Sequence, residues 1–312
     1  MYSLSKSAKI YIAGHKGMVG SSLWRLLISR GFTNLLGWSS SELDLTNREA
    51  TLAKLEEFPP DVIIMAAARV GGIGSNSKFP VEFLTENTRI QNNVFEAANN
   101  VGVDRLLFLG SSCIYPKFAP QPIKETSLMT GMLEPTNDAY AIAKISGIFH
   151  IQGYRREYER KWFSVMPTNL YGPNDNFDLE NGHVLPALIR KFHEAKVAKS
   201  NSVKLWGDGS AFREFLHVDD LAKACLLLLE NYNEDEPINV GSASDISIRE
   251  LALLVARIVE FKGEIIWDLS KPNGTPKKLL DSSNIYNLGW RPEKTLEFGL
   301  ESTYKWYLAN EC

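Results

Sequence analysis

The sequence predicts an α/β fold, in which a doubly wound parallel sheet of the Rossmann type is joined to a second, smaller C-terminal domain. Three observations support this prediction. Short apolar runs alternate with helix-like stretches through the first half of the chain. The first, third and fourth of these runs are almost continuously apolar, as expected where helices cover both faces of a sheet. A glycine-rich segment follows the first run directly, as in the first βα turn of a Rossmann unit.

Composition and charge limit the classes of protein to consider. The chain has 312 residues, of which 44% are hydrophobic and 23% charged, so it is long enough to bury a large core without disulfides. The formal net charge of −3 gives no electrostatic reason to expect nucleic-acid binding. The three cysteines suit neither a metal site nor a disulfide framework. With no signal peptide or membrane-length apolar window, we expect a cytoplasmic protein that does not enter membranes.

The elements of the first half follow from the periodicity of apolar residues. Strands are predicted at residues 9–13, 34–38, 61–67, 105–110 and 164–169. Helices are predicted between them at residues 21–29, 48–57, 81–100 and 138–158. Right-handed crossovers between such strands produce a parallel sheet with helices on both faces.

The second half is less regular. A helix is predicted at residues 185–196, followed by a buried strand at 214–218 and its helix at 219–230, and this pair is expected to return to the main sheet. Ser247 and Glu250 have the spacing of a capping box that opens a helix at 248–259, and a last helix is predicted at 296–308. The predicted domains are therefore 1–170, with 214–240 returning to it, and a smaller unit formed by 171–213 and 241–312.

The glycine-rich segment is predicted to bind a nucleotide cofactor. Its glycines allow a tight turn and a close approach to a pyrophosphate, whose charge is stabilised at the positive end of the following helix. The segment consists of Gly14, His15, Lys16, Gly17, Met18, Val19 and Gly20. This G-x-x-G-x-x-G spacing resembles that of the extended short-chain dehydrogenase/reductase family.

The end of the second strand favours NADP over NAD. An NAD enzyme usually has an acid there to bind the ribose 2′-hydroxyl, and residues 37–41 contain no acid before Glu42. Lys16 is available to pair with a 2′-phosphate. The basic residue that several related enzymes carry after this strand is replaced by Ser39, Ser40 and Ser41, whose hydroxyls are alternative donors.

Three residues form a predicted carbonyl-reducing set. Tyr140 and Lys144 are four residues apart on one helix and so share a face. A nearby cation is expected to stabilise the phenolate and lower the pKa of Tyr140. Ser111 lies at the end of the fourth strand, where its hydroxyl would bond the carbonyl oxygen that Tyr140 protonates.

Six short motifs make the resemblance closer. They are GSSCIYP at 110–116, EPTN at 134–137, YAIAK at 140–144, MPTNLYGP at 166–173, DNF at 175–177 and REFLHVDD at 213–220. Together they resemble the GDP-L-fucose synthase family, whose members are 3,5-epimerases and 4-reductases, and the resemblance extends from Lys9 to Trp306.

The resemblance implies a two-stage reaction in one site. Cys113 would be the base and His183 the acid that invert C3 and C5 of a 4-keto sugar, with nearby positive charge bringing the Cys113 pKa toward neutrality. NADPH would then deliver hydride to C4 while Tyr140 protonates the oxygen. Lys144 would also hold the nicotinamide ribose, and Ser111 would orient the carbonyl.

The resemblance also implies the binding residues. Besides the seven residues of the glycine-rich segment, those for NADP would be Leu109, Gly110, Ser111, Ser112, Tyr140, Lys144, Pro167, Thr168, Asn169, Leu170 and His183. Those for the GDP-sugar would be Lys191, Trp206, Arg213 and Asp281, although Trp206 is also compatible with a core position. Residues 1–170 then form the NADP-binding domain and the smaller unit binds the nucleotide sugar. The resemblance further suggests a homodimer through the helices at 81–100 and 138–158.

Two alternatives to a GDP-L-fucose-forming activity stay open. The first is a GDP-6-deoxy-heptose 4-reductase of surface-polysaccharide synthesis, with or without epimerase activity, because the motifs do not measure the length of the sugar. The second, from another class, is an NADP-binding redox-sensing regulator without catalysis, which the complete set of Ser111, Tyr140 and Lys144 argues against. A simple nucleotide-sugar 4-epimerase is disfavoured because it would leave Cys113 and His183 without a role.

Overall fold

The computed structural model describes residues 4–179, 182–271 and 275–312. Its strands, in chain order from β1 to β12, are Ile10–Ala13, Leu35–Leu36, Val62–Met65, Arg105–Leu109, Lys161–Pro167, Asn169–Tyr171, Ser202–Trp206, Phe212–His217, Ile238–Val240, Asp245–Ser247, Glu264–Asp268 and Lys277–Lys278. Its α-helices, from α1 to α10, are Met18–Ser29, Arg48–Glu57, Ile73–Lys78, Pro80–Asn100, Asp138–Tyr158, Val184–Val197, Val218–Asn231, Ile248–Val259, Ser283–Asn287 and Leu296–Asn310.

A six-stranded parallel sheet forms the centre of the molecule, in the order β2-β1-β3-β4-β5-β9. Every residue of β1, β3 and β4 is buried, as their continuous apolar sequences predict. One buried cluster joins one face of the sheet to α1 and α7, and a second joins the other face to α4 and α5. The predicted doubly wound α/β fold is therefore confirmed.

The prediction that the strand at 214–218 returns to the main sheet is wrong. The observed strand, β8, pairs with β6 and β12 in parallel and with β10 in antiparallel orientation, outside the six-stranded sheet. The position beside β5 is taken by β9, which has only three residues and was not predicted. The apolar residues of this short segment indicate a buried strand, but they do not show which sheet buries it.

The helix after β8 does pack on the Rossmann sheet. In α7, Leu221 and Leu228 belong to the same buried cluster as Leu23 of α1. The Ser22 hydroxyl of α1 donates a hydrogen bond to the Asp219 carboxylate at 2.8 Å, which joins the first turns of α1 and α7.

A third buried cluster lies in the second half of the chain, among α6, α8, α10, β7 and β11. The predicted capping box at the start of α8 is confirmed, since the Ser247 hydroxyl accepts from the Glu250 amide and the Glu250 carboxylate accepts from the Ser247 amide. The division of the chain into two domains at these boundaries stays a prediction. Among the described residues, no helix is long and apolar enough to cross a membrane.

Candidate active site

The glycine-rich segment connects β1 to α1 in a backbone arrangement that two glycines require. Gly14 has a φ of +81°, a region that residues with a Cβ seldom occupy. A Cβ on Gly20 would lie 2.1 Å from the Gly14 carbonyl oxygen. Gly17 is the N-cap of α1 and supplies no side-chain acceptor, so the first amides of α1 point to the open end of the turn. A nucleotide pyrophosphate fits this positive, side-chain-free corner.

Beside this corner, the Glu42 carboxylate accepts hydrogen bonds from Ser39, one of the serines expected to donate to a 2′-phosphate. Its carboxylate accepts from the Ser39 amide at 2.7 Å and from the Ser39 hydroxyl at 2.5 Å. These two hydrogen bonds, with the charges of Lys16 and His15, hold the pKa of Glu42 below its usual value. Lys16 is exposed at the edge of the segment. In the sequence, Glu42 is only the first acid after the second strand, and no local pattern shows that it binds Ser39.

The other predicted cofactor residues follow the ends of β4 and β5. Leu109 ends β4 and Pro167 ends β5, and these strands are parallel neighbours in the sheet that also contains β1. A Cβ on Gly110 would lie 2.5 Å from the Met166 sulfur, so the chain leaves β4 in close contact with β5. Asn169 donates to the Glu214 carbonyl at 2.8 Å and joins β6 to β8. The predicted segments therefore meet at the carboxyl edge of the sheet, where α/β folds bind ligands.

Tyr140 and Lys144 lie in the first two turns of α5, as predicted. Lys144 is buried, and its ammonium donates to the Leu109 carbonyl at 2.8 Å. It lies 4.8 Å from the centre of the Phe108 ring and 5.8 Å from that of Tyr140. Burial lowers the pKa of Lys144 to about 8.

The expectation that Lys144 lowers the pKa of Tyr140 is wrong for this structure. Burial raises the pKa of Tyr140 well above its ordinary value, and the neighbouring Cys113 adds to the rise. The ammonium of Lys144 is directed to a backbone carbonyl, so the burial effect dominates. Tyr140 is therefore held as a neutral phenol, the form that gives up a proton.

Cys113 lies in a single 3₁₀ turn after β4, with its amide donating to the Ser111 hydroxyl at 3.3 Å. The expected fall of its pKa toward neutrality is wrong, because burial raises the pKa of the thiol. Three groups oppose the rise, in decreasing order Lys278, Ser111 and Lys144. Thus Cys113 is within electrostatic reach of the carbonyl-reducing set.

His183 lies at the N-cap of α6. Its side chain is accessible to solvent, yet the surrounding protein desolvates the ring enough to lower its pKa. Among the residues that the structure describes, the electrostatic contacts of Cys113 include Tyr140, Lys144 and Lys278 but not His183. The structure thus places four of the five predicted catalytic residues within electrostatic reach of one another and leaves His183 at the start of a separate helix.

Two of the residues predicted to bind the substrate, Lys191 and Trp206, lie close to each other. The Lys191 ammonium lies 6.0 Å from the centre of the Trp206 ring, and Trp206 is 60% exposed, which excludes the core position considered for it. Arg213 lies in β8, where burial lowers its pKa. The Asp281 carboxylate accepts from the Ser283 amide at 2.9 Å, so it is partly engaged by its own loop.

Lys278 is a further charged residue of this site that the sequence analysis did not identify. It lies in β12 and pairs in register with Arg213 of β8. In the sequence, Lys278 is only part of the segment 276–281, in which Asp281 alone was predicted to bind the substrate. Lys278 is 165 residues from Cys113, a distance over which sequence patterns predict no contact. Only the folded structure shows that Lys278 and Cys113 are close.

The family model described as the NAD dependent epimerase/dehydratase family matches residues 10–241. The chain belongs to this family. Among curated proteins, it is 55% identical over 307 residues to GDP-L-fucose synthase 1 of Arabidopsis thaliana, which covers 98% of this chain and 95% of that relative. This relative confirms the resemblance to the GDP-L-fucose synthase family that the motifs predict.

Solved structures of this epimerase/dehydratase type have nearly the same fold over the whole chain. A GDP-6-OMe-4-keto-L-xylo-heptose reductase from C. jejuni matches with a TM-score of 0.94 and 35% identity, covering 98% of this chain and 99% of that one. A GDP-L-fucose synthetase from Naegleria fowleri bound to NADP matches with a TM-score of 0.91 and 28% identity, covering 99% of this chain and 96% of that one.

Proposed function

We propose that the chain converts GDP-4-keto-6-deoxy-D-mannose to GDP-L-fucose with NADPH, by 3,5-epimerisation followed by reduction of the 4-keto group. The observation that carries the proposal is the meeting of Cys113 with the carbonyl-reducing residues at the carboxyl edge of the sheet. A reductase alone requires only Ser111, Tyr140 and Lys144. The additional thiol beside them supplies a base for epimerisation, and the chain is 55% identical to the relative named GDP-L-fucose synthase 1.

Epimerisation uses the acidity of the protons beside the 4-keto group. Cys113 removes the proton from C3 or C5, the C–H electron pair moves toward the C4 oxygen, and His183 returns a proton to the opposite face. The Ser111 hydroxyl orients the carbonyl, and hydrogen bonds to its oxygen stabilise the charge that forms there. After it delivers this proton, His183 takes up another from solvent, to which its side chain is open.

Reduction follows on the epimerised ketone. NADPH supplies hydride to C4 when it is bound at the carboxyl edge of the sheet. Tyr140 donates its proton to the C4 oxygen, and its raised pKa keeps it protonated for this step at neutral pH. Lys144, fixed on the Leu109 carbonyl, holds the nicotinamide ribose beside Tyr140.

The cofactor is NADP, as in the NADP-bound structural relative. The glycine-rich turn and the amides of α1 fit its pyrophosphate, and Lys16 with Ser41 provides a cation and a donor at the 2′-phosphate position. For the GDP moiety, we assign the diphosphate to Lys191 and Arg213 and contact with the exposed ring to Trp206.

Turnover in deuterated water tests the proposal. Wild-type protein with GDP-4-keto-6-deoxy-D-mannose and NADPH should give GDP-L-fucose with deuterium at C3 and C5, observed by NMR. Cys113→Ser should incorporate little deuterium while retaining NADPH oxidation, since a hydroxyl has a much higher pKa than a thiol and so does not form the anion that acts as the base. Wild-type product without deuterium at either carbon would remove the epimerase part of the proposal.

A GDP-heptose reductase is the second candidate, and the TM-score of 0.94 to the C. jejuni enzyme favours considering it. Its substrate has the same nucleotide and ketone but a longer sugar. Comparing kcat/KM for the two GDP-4-keto sugars under identical conditions distinguishes these candidates. A higher value for the heptose would replace the hexose as the proposed substrate.

We further propose that the chain forms a homodimer through α4 and α5. These helices pack against each other and leave apolar side chains on their outer surface. Val81 is 74% exposed, and Leu84, Ile142 and Phe149 are also exposed. A second copy of the same surface would bury these side chains, as isologous interfaces do. Sedimentation should give twice the 35.0 kDa mass of the chain, and Phe149→Glu should reduce it to one chain mass.

A further inference from the structure

Cys113 and Lys278 line the same small cavity. Its other lining residues include Lys117, Glu134 and Thr275. Cys113 reaches the cavity from the turn after β4, and Lys278 reaches it from β12, near the other end of the chain. The sulfur of Cys113 and the ammonium of Lys278 thus share one small cavity, although the elements that carry them are far apart in the sequence.

The backbone around Lys278 is held on both sides. The Leu279 amide donates to the Gln121 side-chain oxygen at 2.8 Å, which joins β12 to the loop that follows Cys113. The Leu280 amide donates to the buried carboxylate of Glu214 at 3.0 Å, which joins the same segment to β8. These contacts fix the position of Lys278 relative to the turn that carries Cys113.

The charges around the cavity leave Lys278 without an ion pair. Glu134, the carboxylate whose charge acts on Lys278, is paired with Lys117 at 2.9 Å. The neighbouring lysine, Lys277, is paired with Asp245 at 2.8 Å. Within residues 4–179, 182–271 and 275–312, no carboxylate lies within 4 Å of the Lys278 ammonium. A half-buried ammonium of this kind favours a negative charge beside it.

We propose that Lys278 is the counter-ion of the Cys113 thiolate, and so a positioning residue for proton removal from C3 and C5. The inference rests on the proposed epimerase function. When Cys113 takes the sugar proton, a C–H bond breaks, an S–H bond forms and the electron pair moves to the C4 oxygen. Lys278 keeps its own protons throughout and stabilises the sulfur before the transfer.

The other groups that face Cys113 either favour or oppose its thiolate form. Lys144 and the Ser111 hydroxyl also favour the thiolate, whereas burial opposes it. Tyr140 is neutral and adds no charge. Arg213, beside Lys278 in β8, and the Glu134–Lys117 pair act on Lys278 itself. Lys278 is the largest of the groups that lower the pKa of Cys113, so its removal should be visible in the reactivity of the thiol.

The test measures alkylation of Cys113 by iodoacetamide between about pH 7 and 11.5, a range that reaches above the ordinary pKa of a thiol because burial raises that of Cys113. It uses a Cys312→Ser background that removes the exposed thiol. Mass spectrometry of the Cys113 peptide gives the rate. In Lys278→Gln, the midpoint pH of the rate should rise by about one unit, because an opposite charge nearby typically shifts a pKa by 1 to 3 units. Lys277→Gln is the matched control, and its profile should coincide with that of the parent. Lys278→Met is a second neutral variant should the first not fold.

A second readout uses deuterium incorporation at C3 and C5. In Lys278→Gln, incorporation should fall at pH 7.5 and recover as the pH is raised toward the midpoint of its alkylation profile, and Lys278→Arg should restore it at pH 7.5. A folded Lys278→Gln protein with the parent alkylation profile would overturn the proposal, and a raised KM alone would identify Lys278 as a substrate contact instead. Absence of deuterium in the parent product would contradict the epimerase function, whereas the alkylation result would still decide the role of Lys278.

Discussion

Gly20 has no room for a side chain, and replacing it should separate cofactor binding from folding. A Cβ at this position would lie 2.1 Å from the Gly14 carbonyl oxygen and 2.7 Å from the His15 Cα. Both are backbone atoms, so no rotamer change relieves the contact. In Gly20→Ala the start of α1 must move away from Gly14 by roughly 1 Å to reach ordinary van der Waals distance.

That movement displaces the amides which fit the cofactor pyrophosphate. A misplacement of about 1 Å typically costs about 10²-fold in a positioned interaction. Overpacking in a well-packed region costs about 1–3 kcal/mol of stability. We therefore expect Gly20→Ala to lower NADPH affinity by about 100-fold and to lose part of its stability, as measured by titration calorimetry and thermal unfolding.

Gly153→Ala in α5 is the control, because it lies outside the turn and its Cβ would meet nothing within 4 Å. It should bind NADPH as tightly as the parent. If Gly20→Ala also binds NADPH as tightly as the parent, the assignment of this turn to the pyrophosphate is refuted.

Four further predictions concern other positions. Tyr140→Phe should bind NADPH normally but reduce the ketone about 10²–10⁴-fold more slowly in stopped-flow absorbance, the usual size of a general acid contribution, and near-normal turnover would contradict its role. The enzyme should have a higher kcat/KM with NADPH than with NADH, and equal values would show that Lys16 and the serines do not recognise the 2′-phosphate. Burial raises the pKa of Asp175 to about 7. Between about pH 4 and 7, the folded protein therefore keeps a proton on this carboxyl that the unfolded chain has released. The free energy of unfolding consequently falls as the pH rises through this range. Asp175→Asn should therefore be more stable than the wild type at pH 8 by roughly 1–4 kcal/mol in urea unfolding, with a gain that shrinks toward pH 4, since one pKa unit corresponds to about 1.4 kcal/mol. Gly153→Ala in α5, where a Cβ meets nothing within 4 Å, should raise stability by about 0.5–1 kcal/mol in the same assay, and an unchanged midpoint would show that helix propensity is offset there.

Local patterns predicted the secondary structure of the first half closely. The predicted helices at 48–57 and 138–158 have the same bounds as α2 and α5. The helix predicted at 21–29 begins earlier, at Met18, because Gly17 ends the turn as its N-cap without needing a capping side chain. The strand predicted at 34–38 shortens to Leu35–Leu36, since only these two residues pair with β1.

The candidate site was predictable where its residues are close in sequence. The spacing of Tyr140 and Lys144 and the serine after β4 indicate a carbonyl-reducing set, and the motifs around Cys113 indicate a family. Charge state was not predictable in this way. The expected lowering of the pKa of Tyr140 and Cys113 failed because both groups are buried, and burial depends on which elements cover them.

The sequence by itself determined the doubly wound fold and the glycine-rich turn, and it predicted the reacting groups, because each depends on residues within one turn of a helix or one βα unit. Only the tertiary structure decided that β8 joins β6, β10 and β12 instead of the main sheet, and that Lys278 faces Cys113. Both outcomes depend on contacts between residues far apart in the chain. Such contacts are selected by the packing of whole elements, which local periodicity and spacing do not encode.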